Sequence, residues 1–189
     1  MTRELYADAG AVLSAWSPPG AAAAMARERT LALLRDGPVA MTRAHRPGHL
    51  TASVLVVDAA AERVLLCLHA RIGRWVQLGG HCEASDRSLA GAALREATEE
   101  SGIAGLVLHP DPIDLDIHPV TACHGGSLHF DIRYAALAPP GAVERVSAES
   151  HALGWFRPDA LPEPLAHATA PLVAPAVAAA RTIRSARSG

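Results

Sequence analysis

Three glutamates fall on one face of a predicted helix between Arg95 and Ile103. They are Glu96, Glu99 and Glu100, and side chains three and four positions apart lie on the same side of a helix. Like charges at this spacing destabilise a helix by roughly 0.2 to 0.5 kcal/mol per pair, so we expect a cation against them. Mg²⁺ and Mn²⁺ prefer carboxylate oxygens and leave their other coordination positions to water and phosphate. The spacing therefore predicts a divalent-metal site for phosphate chemistry.

The segment from Gly80 to Ile103 resembles the signature box of the Nudix hydrolases. The positions that match this box are Gly80, Arg95, Glu96, Ala97, Glu99, Glu100, Gly102 and Ile103. The chain departs from the family pattern by having Asp86 in place of a glutamate, and eight rather than seven residues between it and Arg95. Both departures fall where a loop is expected to enter the helix. The alternative interpretation, a surface helix with solvated acids, does not account for the Gly-Gly pair before it.

This resemblance implies a Mg²⁺- or Mn²⁺-dependent hydrolase. Such an enzyme cleaves the diphosphate linkage of a nucleoside diphosphate joined to another group X, by attack of water at phosphorus. The metal ligands that it implies are Glu96, Glu99, Glu100 and the carbonyl of Gly79. Divalent ions there neutralise the diphosphate and lower the pKa of the attacking water. Glu99 and Glu100 are candidate catalytic residues, with Glu99 as a metal ligand or a water-activating base.

Two other residues are assigned roles by the resemblance. Outside the box, Glu149 is a candidate general base, because some family members recruit an additional acid. A solvated loop glutamate is the favoured alternative, since loops carry many exposed acids. Inside the box, Arg95 is expected to hold the loop by pairing with Asp86 or Glu83, which is a structural role in this family.

Two histidines lie near the expected site. His49 precedes the first predicted core strand and His81 follows the Gly-Gly pair. This resembles isopentenyl-diphosphate isomerases, Nudix-fold enzymes that bind an additional metal through histidines near these points, although Leu78 and Gly79 stand where the isomerases place an active-site cysteine. His49 and His81 are therefore candidate residues for binding substrate or a second metal. A structural hydrogen-bonding role is favoured over both.

An aromatic residue and a group of histidine and cysteine residues elsewhere in the sequence are weaker candidates for binding substrate or metal. Trp75 is a candidate substrate-binding residue because its ring can stack on a nucleobase, and packing in the core is an equal alternative. A looser group contains His118, Cys123, His124 and His129. The irregular spacing of that group argues against metal binding.

Three functions remain after these motifs are weighed. The first is the diphosphate hydrolase, which we favour because all three box glutamates are present. The second is an enzyme like isopentenyl-diphosphate isomerase, in which Cys82 would be essential. The third is a non-catalytic nucleotide sensor on a Nudix fold, for which loss of a box glutamate is the usual sign.

The composition of the chain limits which binding partners and which cellular compartment we expect. The 189 residues suit one compact domain, half of them are apolar, and the net charge of -2 argues against binding a nucleic acid polymer. A small-molecule diphosphate is the expected substrate. Three cysteines in no zinc spacing, no leader at the start of the sequence, and no apolar run of about 18 residues predict a cytoplasmic protein that does not enter a membrane.

Periodicity predicts the α+β class, and the resemblance implies a Nudix-type α/β/α sandwich with a mixed β-sheet. Predicted helices cover residues 4–16, 20–36 and 88–101, and residues after Pro158 are predicted to be mostly helical. Predicted strands cover residues 52–57, 64–68, 75–78, 104–109, 112–119, 128–137 and 155–156, with a tight turn at the Gly-Gly pair.

These elements suggest three segments. Residues 1–40 form an N-terminal helical extension, residues 41–165 the Nudix hydrolase domain, and residues 166–189 a C-terminal helix and tail. The N-terminal helices are a candidate cap or dimer element, so a homodimer is an expectation from the sequence.

Overall fold

The computed structural model describes residues 3–120, 126–147 and 150–188. The helices are α1 (Arg3–Ala15), α2 (Ala21–Leu34), α3 (Leu89–Ser101) and α4 (Val173–Ser188), with short 3₁₀ helices at Pro38–Met41 and Ala170–Leu172. The strands are β1 (His49–Val57), β2 (Val64–His69), β3 (Arg74–Val76), β4 (Leu78–His81), β5 (Val107–Leu108), β6 (Asp114–Val120), β7 (Ser127–Leu137) and β8 (Ser150–Phe156).

All eight of these strands join one mixed sheet with β1 near its centre. β1 pairs in parallel with β7 on one side and antiparallel with β2 and β4 on the other. β7 continues to β6 and β5, and β2 continues to β3 and β8. The predicted α+β class and the α/β/α sandwich with a mixed sheet are therefore confirmed.

Alternation along β1 divides the apolar core between the two faces of the sheet. Ala52, Val54 and Val56 belong to the core cluster that also contains buried residues of α1, α2 and α3. Leu55 and Val57 belong to the cluster formed with α4. Since successive strand residues point to opposite faces, this pattern places three helices on one side of the sheet and α4 on the other. The N-terminal helices thus pack into the same core as the box helix.

The region of the glycine pair differs from its prediction. The prediction of a single strand over 75–78 followed by a turn was wrong. The chain forms β3 and then β4, and β4 contains Gly79 and Gly80. These two glycines pair with Ser53 and Ala52 of β1. Pairing with the central strand therefore extends the backbone where local glycine content predicted a turn.

The boundaries of other strands and helices also differ from their predicted positions. The strand predicted at 104–109 is confined to Val107–Leu108, and the last strand begins at Ser150 rather than 155. The helix predicted from residue 158 was wrong for its first part, since helical structure begins only at Ala170. Pro158, Pro162 and Pro164 lie in the intervening segment, and each proline lacks the N–H that a helix interior needs. No described helix is both long and apolar enough to cross a membrane.

Candidate active site

Helix α3 is fixed at both ends, which sets the position of its carboxylates. The Ser88 hydroxyl accepts a hydrogen bond from the Gly91 N–H at 3.0 Å, and Gly102 ends the helix with a φ of 68°. The Leu89 N–H in the first turn donates to the Asp8 carboxylate of α1 at 2.8 Å. An N-terminal helix therefore supplies part of the cap of the box helix.

Glu96 and Glu100 face the glycine pair of β4. The Gly79 N–H donates to Oε2 of Glu100 at 2.8 Å, and Glu100 is only 7% exposed. A Cβ atom on Gly80 would lie 2.8 Å from the carboxylate of Glu96. Both carboxylates therefore lie against the same short stretch of β4, as expected for residues four positions apart on a helix.

The two glycines are needed for different reasons. Gly79 has a φ of 148°, and a Cβ there would lie 2.5 Å from the Cα of Ser53 on the neighbouring strand. At Gly80 the three heavy atoms nearest an added Cβ all belong to the Glu96 carboxylate, at 2.8 Å. Gly79 therefore permits the strand pairing, and Gly80 makes room for the carboxylate.

Glu99 occupies a more open position than the other two box glutamates. Its side chain is 60% exposed, and its Oε2 accepts a hydrogen bond from Nη1 of Arg95 at 3.0 Å. The three carboxylates of the predicted cluster thus differ in environment. Glu96 and Glu100 lie against β4, and Glu99 borders solvent.

Arg95 connects the helix to the loop that precedes it. Its Nε and Nη2 donate to the two carboxylate oxygens of Asp86 at 3.0 and 2.9 Å, and Nη2 also donates to the His81 carbonyl at 3.0 Å. Nη1 donates to Glu96 at 3.1 Å, and Glu83 lies farther away at 3.9 Å. Of the two partners that the sequence left open for Arg95, Asp86 is therefore the one that makes the paired hydrogen bonds.

The protonation of this pair follows from its contacts. Burial alone would raise the pKa of Asp86, but the hydrogen bonds from Arg95 and from the Glu83 N–H outweigh it and lower that pKa below its ordinary value. The hydrogen bond to Asp86 raises the pKa of Arg95. Both groups are therefore charged at neutral pH. The shorter acid at position 86 still pairs with both oxygens in this loop.

The donor set beside α3 fits a hard divalent cation. Glu96 and Glu100 offer carboxylate oxygens, and the absence of a Cβ atom on Gly80 leaves room for the Glu96 carboxylate. Mg²⁺ and Mn²⁺ are bound by a few such oxygens together with water and phosphate.

A buried polar network lies on the sheet beside this site, and sequence reasoning missed it. The Asp131 carboxylate of β7 accepts hydrogen bonds from Thr51 at 3.1 Å and Ser53 at 2.8 Å. It also accepts one from Nε of Arg133 at 2.9 Å and one from the Gln77 amide at 3.4 Å. The alternation from Leu128 to Tyr134 was a signal for a strand, but it did not show that the polar face is buried.

Arg133 extends the network to the neighbouring strand. Its Nη2 donates to Asp116 of β6 at 2.9 Å, and its Nη1 lies 3.3 Å from Asp114. Burial alone would lower the pKa of Arg133, but the carboxylates, Asp131 first among them, raise it. Asp131 and Arg133 are 4% and 3% exposed, so this charge is compensated inside the protein.

The structure brings together three histidines from three strands. Their ring centroids are separated by 5.0 Å for His49 and His81, 4.8 Å for His49 and His129, and 4.8 Å for His81 and His129. Burial and the positive charge of Arg43 lower the pKa of His81 to about 3, and burial and neighbouring histidines lower that of His129 to about 4. The sequence had grouped His129 elsewhere, because its contact with His49 arises from parallel pairing of distant strands.

Other predicted residues lie apart from this arrangement or outside the described chain. Trp75 packs edge-to-face on Phe156 at 4.9 Å in the α4 core cluster. The ring centroid of His118 lies 5.6 Å from that of His129, and Nδ1 of His118 lies 2.9 Å from the Asp116 carboxylate. Residues outside the described ranges are Glu149, Cys123 and His124.

Comparison with known proteins agrees with this geometry. The family model described as NUDIX domain matches residues 47–176. The chain is similar to a MutT NUDIX hydrolase from Burkholderia pseudomallei, with 27% identity over 66% of this chain and 95% of the other, and a TM-score of 0.51. It is also similar to the NUDIX domain of Shewanella oneidensis NrtR complexed with ADP ribose, with 22% identity, coverage of 71% and 89%, and a TM-score of 0.56. A search of curated proteins found no match.

Proposed function

Because this chain belongs to the NUDIX family and is a pyrophosphohydrolase of that family, we propose that it uses Mg²⁺ or Mn²⁺ to cleave a nucleoside diphosphate joined to a second group. The observation that supports this proposal best is the position of Glu96 and Glu100 against Gly79 and Gly80, with Glu100 anchored at 2.8 Å. Two acids held on one side of a strand, beside a pair of glycines, form an oxygen-rich site.

Each side chain has a distinct proposed role. Glu96 and Glu100 hold the divalent ions together with the carbonyl of Gly79, and Glu99 joins them as a third carboxylate. Bound ions supply charge neutralisation of the diphosphate and a lowered pKa for water. Glu99 is exposed and hydrogen-bonded only to Arg95 among the described residues, which leaves it able to accept a proton from water. Glu149 is kept as a second candidate for that proton, and Glu100 as a ligand that also acts in catalysis.

The substrate is proposed to bind beside β4, the strand that carries Gly79, Gly80 and His81. His49, His81 and Trp75 are the proposed substrate-binding residues, of which the two histidines are adjacent and Trp75 packs on Phe156. ADP-ribose is the first compound to test, because the similar NUDIX domain of NrtR was solved with it. A homodimer also remains a prediction, which light scattering of the purified chain tests directly.

The alternatives have less support. An isomerase mechanism that used Cys82 would need a reactive group in contact with substrate, whereas Cys82 is buried and its pKa is raised to about 12. A non-catalytic sensor would bind a nucleotide without cleaving it, and the complete carboxylate set gives no reason for that loss. We therefore propose hydrolysis.

A product-release screen tests the proposal. The chain is incubated with ADP-ribose, nucleotide sugars, dinucleoside polyphosphates and coenzyme A, each with Mg²⁺, with Mn²⁺ and with excess chelator. We expect metal-dependent cleavage of at least one compound, and a loss of about 100-fold or more in E96Q and E100Q, because ion-stabilised charge is worth several kcal/mol in the transition state.

The matched control is E62Q, since Glu62 is exposed and its side chain lies in the turn after β1. We expect this variant to keep full activity. Full metal-dependent turnover by E100Q would contradict the assigned role. Tight binding of ADP-ribose by the unmodified chain, with no cleavage of any compound, would support the sensor instead.

A further inference from the structure

The three converging histidines lie outside the carboxylate set that cleaves the diphosphate in the proposed hydrolysis, although His49 and His81 are also proposed to contact the substrate. His49 lies on β1, and His81 and His129 come from the strands on either side of it. One ligand nitrogen from each residue can be chosen so that all three lie within 4.8 Å of one another. His49 is fully buried and the other two are partly buried. The imidazoles therefore meet at a single point at the edge of the polar sheet face.

This cluster lies on the other face of β4 from the box carboxylates. Gly80 faces Glu96, and the next residue, His81, pairs with Thr51. Because successive strand residues point to opposite faces, the His81 ring is directed toward the face that carries Thr51, Ser53 and Asp131. The histidine cluster and the carboxylate cluster are therefore separate sets of ligands with different chemistry.

The donor type favours a transition metal over Mg²⁺. Neutral imidazole nitrogens suit Zn²⁺ and its neighbours in the first transition series, whereas Mg²⁺ prefers oxygen. Two imidazole nitrogens on a tetrahedral zinc ion are about 3.4 Å apart at ordinary Zn–N lengths. The nitrogens here are within 4.8 Å, so small rotations of the side chains close the difference.

We propose that His49, His81 and His129 form a second metal site that binds one Zn²⁺ ion, independently of the Mg²⁺ or Mn²⁺ held by the box glutamates. Three protein ligands leave one tetrahedral position open. Arg43 and Arg71 lie close enough to act on His81 electrostatically. Their positive charge favours an anionic fourth ligand, such as hydroxide or a phosphate oxygen.

Zinc titration of the chelator-treated chain tests this site without relying on hydrolysis. Competition with a chromophoric zinc indicator gives the affinity, and elemental analysis after dialysis gives the stoichiometry. We expect one equivalent of zinc per wild-type chain, and affinity lowered by at least about tenfold in H81Q and H129Q, since each loses a ligand. Addition of zinc should raise the melting temperature of the wild type and not that of H81Q.

Three control variants distinguish zinc bound by the three histidines from zinc bound elsewhere on the chain. H151Q alters an exposed histidine of β8 and should bind zinc as the wild type does. The double variant E96Q/E100Q should keep zinc binding while it loses hydrolysis, so that failure of one proposal is distinguishable from failure of the other. C123S should also keep zinc binding.

Either of two results would overturn the second site. The first is a wild-type chain that retains no zinc after dialysis and shows no shift in melting temperature. The second is zinc binding that persists unchanged in H81Q and H129Q, or that disappears in C123S or in E96Q/E100Q. A folded H129Q chain is verified by its melting curve without zinc, and H81Q provides an independent test if H129Q does not fold.

Discussion

The Gly79 N–H donates a hydrogen bond to the Glu100 carboxylate at 2.8 Å, across 21 residues of sequence. This bond joins the central region of the sheet to the last turn of the box helix. It orients the Glu100 carboxylate toward the glycine pair of β4. The backbone at Gly79 and Gly80 therefore determines both the pairing of β4 with β1 and the shape of the site.

The two glycines should respond differently to alanine. In G80A the new methyl group would meet the Glu96 carboxylate at 2.8 Å, so we expect activity to fall about 10- to 100-fold with little change in melting temperature. G10A is the matched control, because nothing lies within 4 Å of the added Cβ. Equal kcat/KM values for G80A and the wild type would show that Glu96 does not need its present position.

The G79A substitution should lower the stability of the folded protein. The φ of 148° is strained for alanine, and the Cβ would lie 2.5 Å from the Cα of Ser53. We expect the free energy of unfolding to fall by about 2 kcal/mol or more, measured by urea denaturation. A G79A chain as stable as the wild type would contradict the close strand pairing.

The Asp86–Arg95 pair should make stability depend on acid pH. Hydrogen bonds from Arg95 and the Glu83 N–H lower the folded-state pKa of Asp86, although burial opposes this. The charged Asp86 therefore stabilises the fold at pH values above the ordinary aspartate pKa of about 3.9. This stabilisation is lost as the pH falls through the folded-state pKa. We expect D86N to lose about 3 kcal/mol at pH 7 and to show a flatter decline below pH 4. Parallel pH profiles for D86N and wild type would count against the pair, and D159N, on an exposed pair, is the control.

Local signals predicted the box helix well. Ser88 and Gly102 lie at its ends as a cap and a left-handed terminator, and such signals are contained within a few residues of sequence. The resemblance to the box gave the pairing of Arg95 with Asp86 as one of two choices. The position of β4 was misjudged because its pairing with β1 depends on residues far along the chain.

The histidine cluster and the Asp131 network were hidden for the same reason. His49 and His129 are neighbours only because β1 and β7 pair in parallel, and no spacing within either segment shows this. Polar residues that alternate along a strand predict an exposed face. Here several strands bring such residues together, and Arg133 is buried and hydrogen-bonded to Asp131 and Asp116.

Removing Arg133 alone should destabilise the sheet more than removing Arg133 and Asp131 together. R133M would leave the buried carboxylate of Asp131 and the partly buried carboxylate of Asp116 without their guanidinium, so we expect the free energy of unfolding to fall by about 3 to 5 kcal/mol. In R133M/D131N one of these charges is removed too, and the loss should be smaller than the sum of the single variants. A double-mutant cycle measured by urea denaturation gives this coupling, and strict additivity would rule it out.

Cys67 and Cys82 should be unreactive in the native protein. Burial raises the pKa of both thiols to about 12, and the thiolate is the nucleophilic form. At pH 8 we expect iodoacetamide to modify neither residue until the chain is unfolded, as measured by peptide mapping. We also expect C82A to keep the metal-dependent turnover of the wild type, since its thiol is enclosed in the α3 core cluster. Rapid native labelling of Cys82 together with an inactive C82A chain would instead favour a mechanism in which this thiol contacts the substrate.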